Sequence, residues 1–194
     1  MLSLISADGA AAENNAQLDS LIAKIALSDK QALASLYRQT KAPVFGYALS
    51  VLKNPYDAED VLHDCFVSVY QAAPSYRSMG KPMAWIITIA RNLCMQRLRD
   101  ASRTDQVSWE ETEDYLKAND GVSTEDRLTI LCCLKRLTDM ERQIVLLHAV
   151  CGFRHREIAA FTELPLATVL SKYHRALKKL REYFNGEDGF GEKQ

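Results

Sequence analysis

Apolar residues recur along most of the chain at steps of three and four, the spacing that gathers side chains on one face of an α-helix. Leu18, Leu21, Ile22 and Ile25 set a first stripe, and Leu33, Leu36 and Tyr37 resume it after a break at Ser28-Asp29. Val44, Tyr47, Ala48 and Val51 form another, ended by the turn signal Asn54-Pro55. Asp57 is predicted to cap the next helix, with Asp60 three residues on, because an Asx side chain accepts the free amide hydrogens of a first turn. Val61, Leu62, Cys65, Phe66 and Val69 would face inward from it. Pro74 to Pro82 reads as a loop, and Trp85, Ile86, Ile89 and Leu93 open an amphipathic helix running to about Asp100.

On either side of this bundle the pattern fades. Residues 1–16, rich in Ala, Asn and small polar groups, are expected to be a mobile leader. From Ala101 the chain turns polar and acidic, with Glu110, Glu111, Glu113, Asp114 and Asp120, which predicts a flexible tether with room for a short helix from Trp109 to Lys117. Ser123 or Thr124 can cap a helix carrying Leu128, Leu131 and Leu134, and Thr138-Asp139-Met140-Glu141 has the spacing of a capping box. The predicted layout is all-α: a leader at 1–16, a helical bundle at 17–100, a linker at 101–123, a second helical domain at 124–185 and a tail at 186–194.

The second domain carries the most informative spacing. A short helix, Arg154 to about Phe161, is followed by a turn and a long helix opened by Pro165, which is tolerated where no helical hydrogen bond is lost. This is helix-turn-helix spacing, shared with ordinary solvated αα-hairpins. On the long helix Val169, Tyr173, Leu177, Leu180 and Phe184 make an apolar face, while Thr168, Ser171, Lys172, Arg175 and Lys179 gather opposite. Residues near the start of such a helix reach base edges in the major groove, and Lys178, Lys179 and Arg181 are placed for phosphates.

A formal net charge of −1 looks wrong for a nucleic-acid binder until it is divided along the chain. Counting Lys and Arg against Asp and Glu, residues 1–60 carry −2, 61–105 carry +3, 106–127 carry −5, 128–184 carry +5 and 185–194 carry −2. Phosphate contacts need local positive charge and tolerate an acidic segment that salt screens within roughly 10 Å. The five cysteines show no C-x-x-C pair, which argues against a secreted disulfide framework. The first residues lack a basic n-region, and no apolar run approaches the roughly 20 residues that cross a bilayer, so the expected location is the cytoplasm.

Several stretches together carry a family resemblance. Asp57-Ala-Glu-Asp-Val-Leu-His-Asp-Cys-Phe, Trp85-Ile-Ile-Thr-Ile-Ala-Arg-Asn-Leu, the capped Leu137-Thr-Asp-Met-Glu-Arg, and Arg156-Glu-Ile-Ala followed by Thr168-Val and His174-Arg-Ala-Leu resemble extracytoplasmic-function sigma factors of the sigma-70 family. The resemblance spans about residues 18–184. It implies that the first domain is sigma region 2, the second is region 4, and the chain directs core RNA polymerase to promoters without catalytic chemistry, metal or cofactor.

The resemblance also implies where partners bind. Asp57, Glu59, Asp60 and Asp64, around an apolar patch with Val61 and Phe66, would dock on the polymerase, although acids also favour any helix N-terminus. The Ser75 to Pro82 loop and the helix after it would read and melt the minus-ten element, using Tyr76, Arg77, Thr88, Arg91, Asn92 and Arg99, since a base taken out of the stack must be held by polar and planar groups. Trp85 and Ile89 are expected in the core. Arg154, Thr168, Ser171, Lys172, His174, Arg175, Lys178 and Lys179 would meet the minus-thirty-five element. An anti-sigma partner is implied as well.

Two positions depart from the family pattern. Leu170 stands where relatives often have a basic residue, and Glu163 occupies a turn that commonly holds Gly, so a different turn conformation and helix angle are expected. His148 with Cys151, and the Cys132-Cys133 pair, have too few neighbouring ligands for a metal and read as packing. No Gly-rich phosphate loop or nucleophile elbow occurs. A self-sufficient helix-turn-helix regulator and a helical protein-binding adaptor are the alternatives; the first would shift promoter DNA without polymerase, and the second would show no promoter effect.

Overall fold

A computed structural model describes residues 2–101 and 136–184. The chain divides into two compact units, Met1–Gln106 and Val107–Gln194. Among the described residues every regular element is helical. The predicted linker beyond Ala101, the helix with Leu128, Leu131 and Leu134, the Cys132-Cys133 pair and the tail lie outside the described residues.

The first unit packs four helices, α1 (Leu2–Ile25), α2 (Lys30–Leu52), α3 (Pro55–Ala72) and α4 (Pro82–Ala101), with a 3-10 turn at Ala73–Ser75. α1 begins at Leu2, well before the stripe that starts at Leu18, which corrects the expectation of a leader without helix. An Ala-rich segment free of Pro extends the helix on intrinsic propensity. From Leu18 onward packing takes over, with Leu18, Ile22 and Ile25 buried.

The break at Ser28-Asp29 is real. Ser28 takes φ 66, and the Asp29 carboxylate accepts the amide hydrogens of Gln31 and Ala32 at 2.8 and 3.0 Å. α2 then runs unbroken through Pro43, joining two predicted stripes. A proline inside a helix costs about 3 kcal/mol. Leu36, Thr40, Val44, Tyr47 and Ala48 are all buried at helical spacing, and that continuous apolar face outweighs the penalty.

Asn54, not Asp57, caps α3: its side chain accepts from Tyr56 and Asp57 amides at 2.9 and 3.2 Å, and Pro55 occupies the first turn. A proline at the first helical position moves the cap one residue ahead of it. Asp57 therefore lies inside the first turn with its carboxylate released for other partners. Ala58, Val61, Cys65, Phe66 and Val69 of α3 meet Ile86, Ile87, Ala90 and Cys94 of α4 in the core. The buried face of α4 thus differs from the predicted one, since Trp85, Ile89 and Leu93 are only half-buried while Ile87 is fully enclosed.

The second unit contains α5 (Asp139–Val145), a π-helical turn (Leu146–Val150), α6 (His155–Thr162) and α7 (Leu166–Phe184). The predicted capping box is present, with Thr138 Oγ1 accepting from Glu141 N–H at 3.4 Å and Glu141 Oε2 accepting from Thr138 N–H at 3.0 Å. The π turn closes through Cys151 N–H to Leu146 O, 3.0 Å, and Gly152 at φ 73 redirects the chain into α6. Leu137, Ile144, Leu147, Phe153, Ile158, Val169 and Ala176 form this unit's core.

Candidate nucleic-acid interface

The turn between α6 and α7 fixes how α7 is presented. Glu163 holds the left-handed conformation, φ 58 and ψ 27, which a Gly would take without penalty. The expectation of another turn conformation is therefore overturned: the hydrogen bonds from Glu163 and Leu164 N–H to Ala159 O hold the left-handed turn against a cost on the order of 1 kcal/mol. Pro165 sits one place earlier than expected, with its carbonyl accepting from Thr168 and Val169 N–H at 2.9 and 3.1 Å.

Val169 and Ala176 pin α7 to the core, and Ser171, His174, Arg175, Lys178 and Arg181 are exposed on the outer side. Thr168, Lys172, Leu170 and Tyr173 are half-buried at the margins. Lys179 is engaged within the unit, donating to Glu141 Oε2 at 2.7 Å, with 39% of its side chain still exposed. Lys178 reaches Glu182 at 3.6 Å. Arg154, exposed, precedes α6, and its amide hydrogen is taken by Glu157 at 2.9 Å.

In the first unit α4 carries a second polar face. Thr88, Arg91, Asn92 and Arg99 recur at helical spacing on one side of it, and Thr88 Oγ1 donates back to Ala84 O at 2.8 Å. Met95 and Leu98 lie on the same side with 39% and 42% of their surface exposed. They were missed from sequence because exposed apolar residues on an amphipathic helix look like core. Arg77 is exposed on the loop before α4. Tyr76 is half-buried, its hydroxyl donating to Asp19 at 2.5 Å and its ring lying 4.5 Å from that of Trp85.

The predicted polymerase-docking set is divided by burial. Val61 is 1% exposed and sits in the core of the unit, while Phe66, 6% exposed, also lines an apolar groove beside it. The open apolar surface lies alongside, in a groove of about 660 Å³ between α2 and α3 that includes Leu33, Tyr37, Val67 and Tyr70. Glu59 and Asp64 are exposed. Asp57 and Asp60 both pair with Arg97 of α4, at 3.4 and 2.8 Å. Each of these solvent-exposed pairs is worth at most about 1 kcal/mol.

Two separate units, one with an acidic and apolar helix beside a polar helix face and one with a helix-turn-helix, match known proteins in the same order. Residues 36–104 match the pattern of Sigma-70 region 2, and residues 127–180 match that of Sigma-70, region 4. The ECF RNA polymerase sigma factor SigK of Mycolicibacterium vanbaalenii is 30% identical over 175 residues, which cover 86% of this chain and 89% of that protein. The chain belongs to the extracytoplasmic-function group of the sigma-70 family.

SigK of Mycobacterium bovis is 27% identical over 86% of this chain and 93% of its own length. Two solved structures share the fold: CnrH in complex with the cytosolic domain of CnrY, at TM-score 0.57, 22% identity and coverage of 89% and 99% of the two chains, and RpoE of Bartonella quintana in complex with the anti-sigma factor NepR, at 0.60, 19%, and 78% and 96%. As a sigma factor, this chain directs RNA polymerase to promoters through region 2 in its first unit and region 4 in its second.

The titratable groups of the region 4 unit are arranged around its core. His148 Nδ1 lies 2.8 Å from Phe153 O, which fixes its ring, and the ring stacks 4.2 Å from His155, with Tyr173 edge-on to both. His155 Nε2 is buried and has no hydrogen-bond partner among the described residues. Burial first, then the neighbouring His148 and His174, hold its pKa below the ordinary 6.5. Burial pushes the Cys151 thiol up to about 12, so it stays protonated. Among the described residues no group of three His, Cys, Asp or Glu side chains is placed to hold a metal ion.

These environments set a pH dependence. A His with a depressed folded value is protonated first in the unfolded chain, so its contribution to stability is present above about pH 6.5 and lost as pH falls toward the folded value. Burial raises Glu141, but its bonds to Lys179 and to Thr138 outweigh that and leave it below its ordinary 4.5, so its contribution is lost only in stronger acid. Urea titrations of the full chain should therefore show a lower midpoint at pH 5.5 than at pH 7.5. His155→Phe should lose less over that interval than the natural chain, and equal losses would show that His155 is not the titrating group.

Proposed function

We propose that the region 2 unit docks on core RNA polymerase through the outer face of α3, with Glu59 and Asp64 beside the apolar groove, and meets the minus-ten element with the loop after the 3-10 turn and the exposed side of α4. Arg77, Thr88, Arg91, Asn92 and Arg99 are the polar contacts there, with Met95 and Leu98 between them. In region 4, Thr168, Ser171, Lys172, His174 and Arg175 meet the minus-thirty-five element, with Arg154 and Lys178 on flanking phosphates. The observation that carries this reading is α7 itself: Val169 and Ala176 are fully buried while Ser171, His174 and Arg175 project outward on the opposite side.

The factor works in the cytoplasm without catalytic chemistry of its own. Specificity comes from two small surfaces held apart by the polymerase, which suits a chain whose total charge is −1. An anti-sigma protein covering the polymerase-binding face is the partner that fits, as RpoE of Bartonella quintana is bound by the anti-sigma factor NepR in its solved structure. Run-off transcription with core polymerase on a promoter library tests the reading. RNA starting at a fixed distance from two shared elements is the expected result; no RNA from any duplex, under conditions where a relative initiates, would overturn it.

A further inference from the structure

The loop between the 3-10 turn and α4 is tied to a residue far away in sequence. Asp19 of α1 receives two hydroxyls on its two oxygens: Tyr76 donates to Oδ1 at 2.5 Å and Ser78 donates to Oδ2 at 2.7 Å. Such short bonds from O–H to a carboxylate are the charge-assisted kind, roughly twice as strong as neutral ones. Burial first, and then the Asp19 carboxylate, push the Tyr76 phenol well above its ordinary value, so it keeps the proton that it donates.

The hold extends along the loop. Tyr76 lies against Trp85 at the start of α4, and Trp85 N–H donates to Lys81 O at 3.2 Å. Gly80 N–H reaches Ser78 Oγ at 3.4 Å, with Gly80 at φ 69, a conformation that a side chain would strain. Tyr76 leaves the 3-10 turn in an extended conformation, at φ −63 and ψ 132. Arg77 and Met79 alternate in the chain with the two residues that Asp19 holds. Both are exposed, Met79 with 84% of its surface open at the loop tip.

We infer that Asp19 is a positioning residue for promoter recognition: it holds the Tyr76–Lys81 loop in one shape so that Arg77 and Met79 face the minus-ten DNA. The inference rests on the proposed role of that loop. A short polar loop with a Gly near its end would otherwise be ordered only when DNA arrives, at a cost to affinity and to discrimination. With Asp19 in place that ordering is already complete in the free factor. Asp19 itself touches neither the DNA nor the polymerase, and acts only through Tyr76 and Ser78.

The test compares the natural chain with Asp19→Ala, Asp19→Asn and the pair Tyr76→Phe with Ser78→Ala, each as the full chain with core polymerase. Four quantities are read: core affinity, the urea midpoint, permanganate reactivity of the opened minus-ten region, and transcription from two promoters that differ only in that element. Asp19→Ala should lose on the order of tenfold in opening and in discrimination, with core affinity unchanged and Asp19→Asn intermediate. The loop pair should reproduce the loss from the other side of the contact without altering α1, and combining it with Asp19→Ala should add nothing. Natural opening and discrimination in Asp19→Ala, or a fall in core affinity and midpoint that accounts for the whole loss in both variants, would overturn the inference. If the natural chain itself starts no RNA with core polymerase, it is the proposed function that fails.

Discussion

Replacing Lys172 and Arg175 together with alanine should lower transcription from a promoter that depends on its minus-thirty-five element by on the order of a hundredfold or more, since each lost base or phosphate contact costs about 1–3 kcal/mol. The fold should survive, because Arg175 is exposed, Lys172 is only half-buried, and alanine is the best helix former. Core polymerase affinity should be unchanged, since the proposed docking face lies in the other unit. Binding to that element should also lose salt dependence, as fewer counterions are displaced. Run-off assays over a salt series check all of this. Full activity in the double variant on such a promoter would remove α7 from the DNA.

Ile86→Ala should have the largest effect on stability. Ile86 is 0% exposed in the contact between α3 and α4, and its carbonyl lies 3.8 Å from the Cys65 thiol. Truncating a buried Ile to Ala costs about 2–5 kcal/mol, a large share of the 5–15 kcal/mol that holds a typical domain. Polymerase docking and minus-ten recognition should fall together, because α3 and α4 depend on the same packing. Urea unfolding measures the cost directly, and Glu59→Ala on the exposed side of α3 is the comparison, expected to stay within about 0.5 kcal/mol in stability. A loss below about 1 kcal/mol for Ile86→Ala would mean that the interface between these helices is loosely packed.

The helical class, the break at Ser28-Asp29, the Thr138–Glu141 capping box, the helix-turn-helix and the family itself were legible in the chain, because each depends on residues within a turn or two of one another. The missed features share a different character. α2 runs through Pro43 because buried positions on both sides belong to one face, which no local rule about proline weighs. Asn54 displaced Asp57 as the cap once Pro55 took the first turn, and the helix at residues 2–16 formed without an apolar stripe to announce it.

The candidate sites show the same division. Periodicity named Ser171 and Arg175 on the polar side of α7, and the family resemblance named Thr88, Asn92 and Arg99 on α4 and His174 on α7; all six are exposed. Periodicity turned Val61 and Phe66 inward, as they are, but could not tell that Lys179 is held by Glu141 or that Arg97 joins Asp57 and Asp60. Those are contacts across 37 to 40 residues of chain.

By itself, then, the sequence determined the helical class, the amphipathic faces of α3 and α7 and the family, since spacing along a helix dictates which side chains share a side. Only the tertiary structure decided which polar groups remain available to a partner. Tyr76 shows why: the family resemblance suggested a base contact, and folding joins its hydroxyl to Asp19, 57 residues earlier. A hydrogen bond formed by folding consumes a donor that no pattern of neighbours can mark as taken.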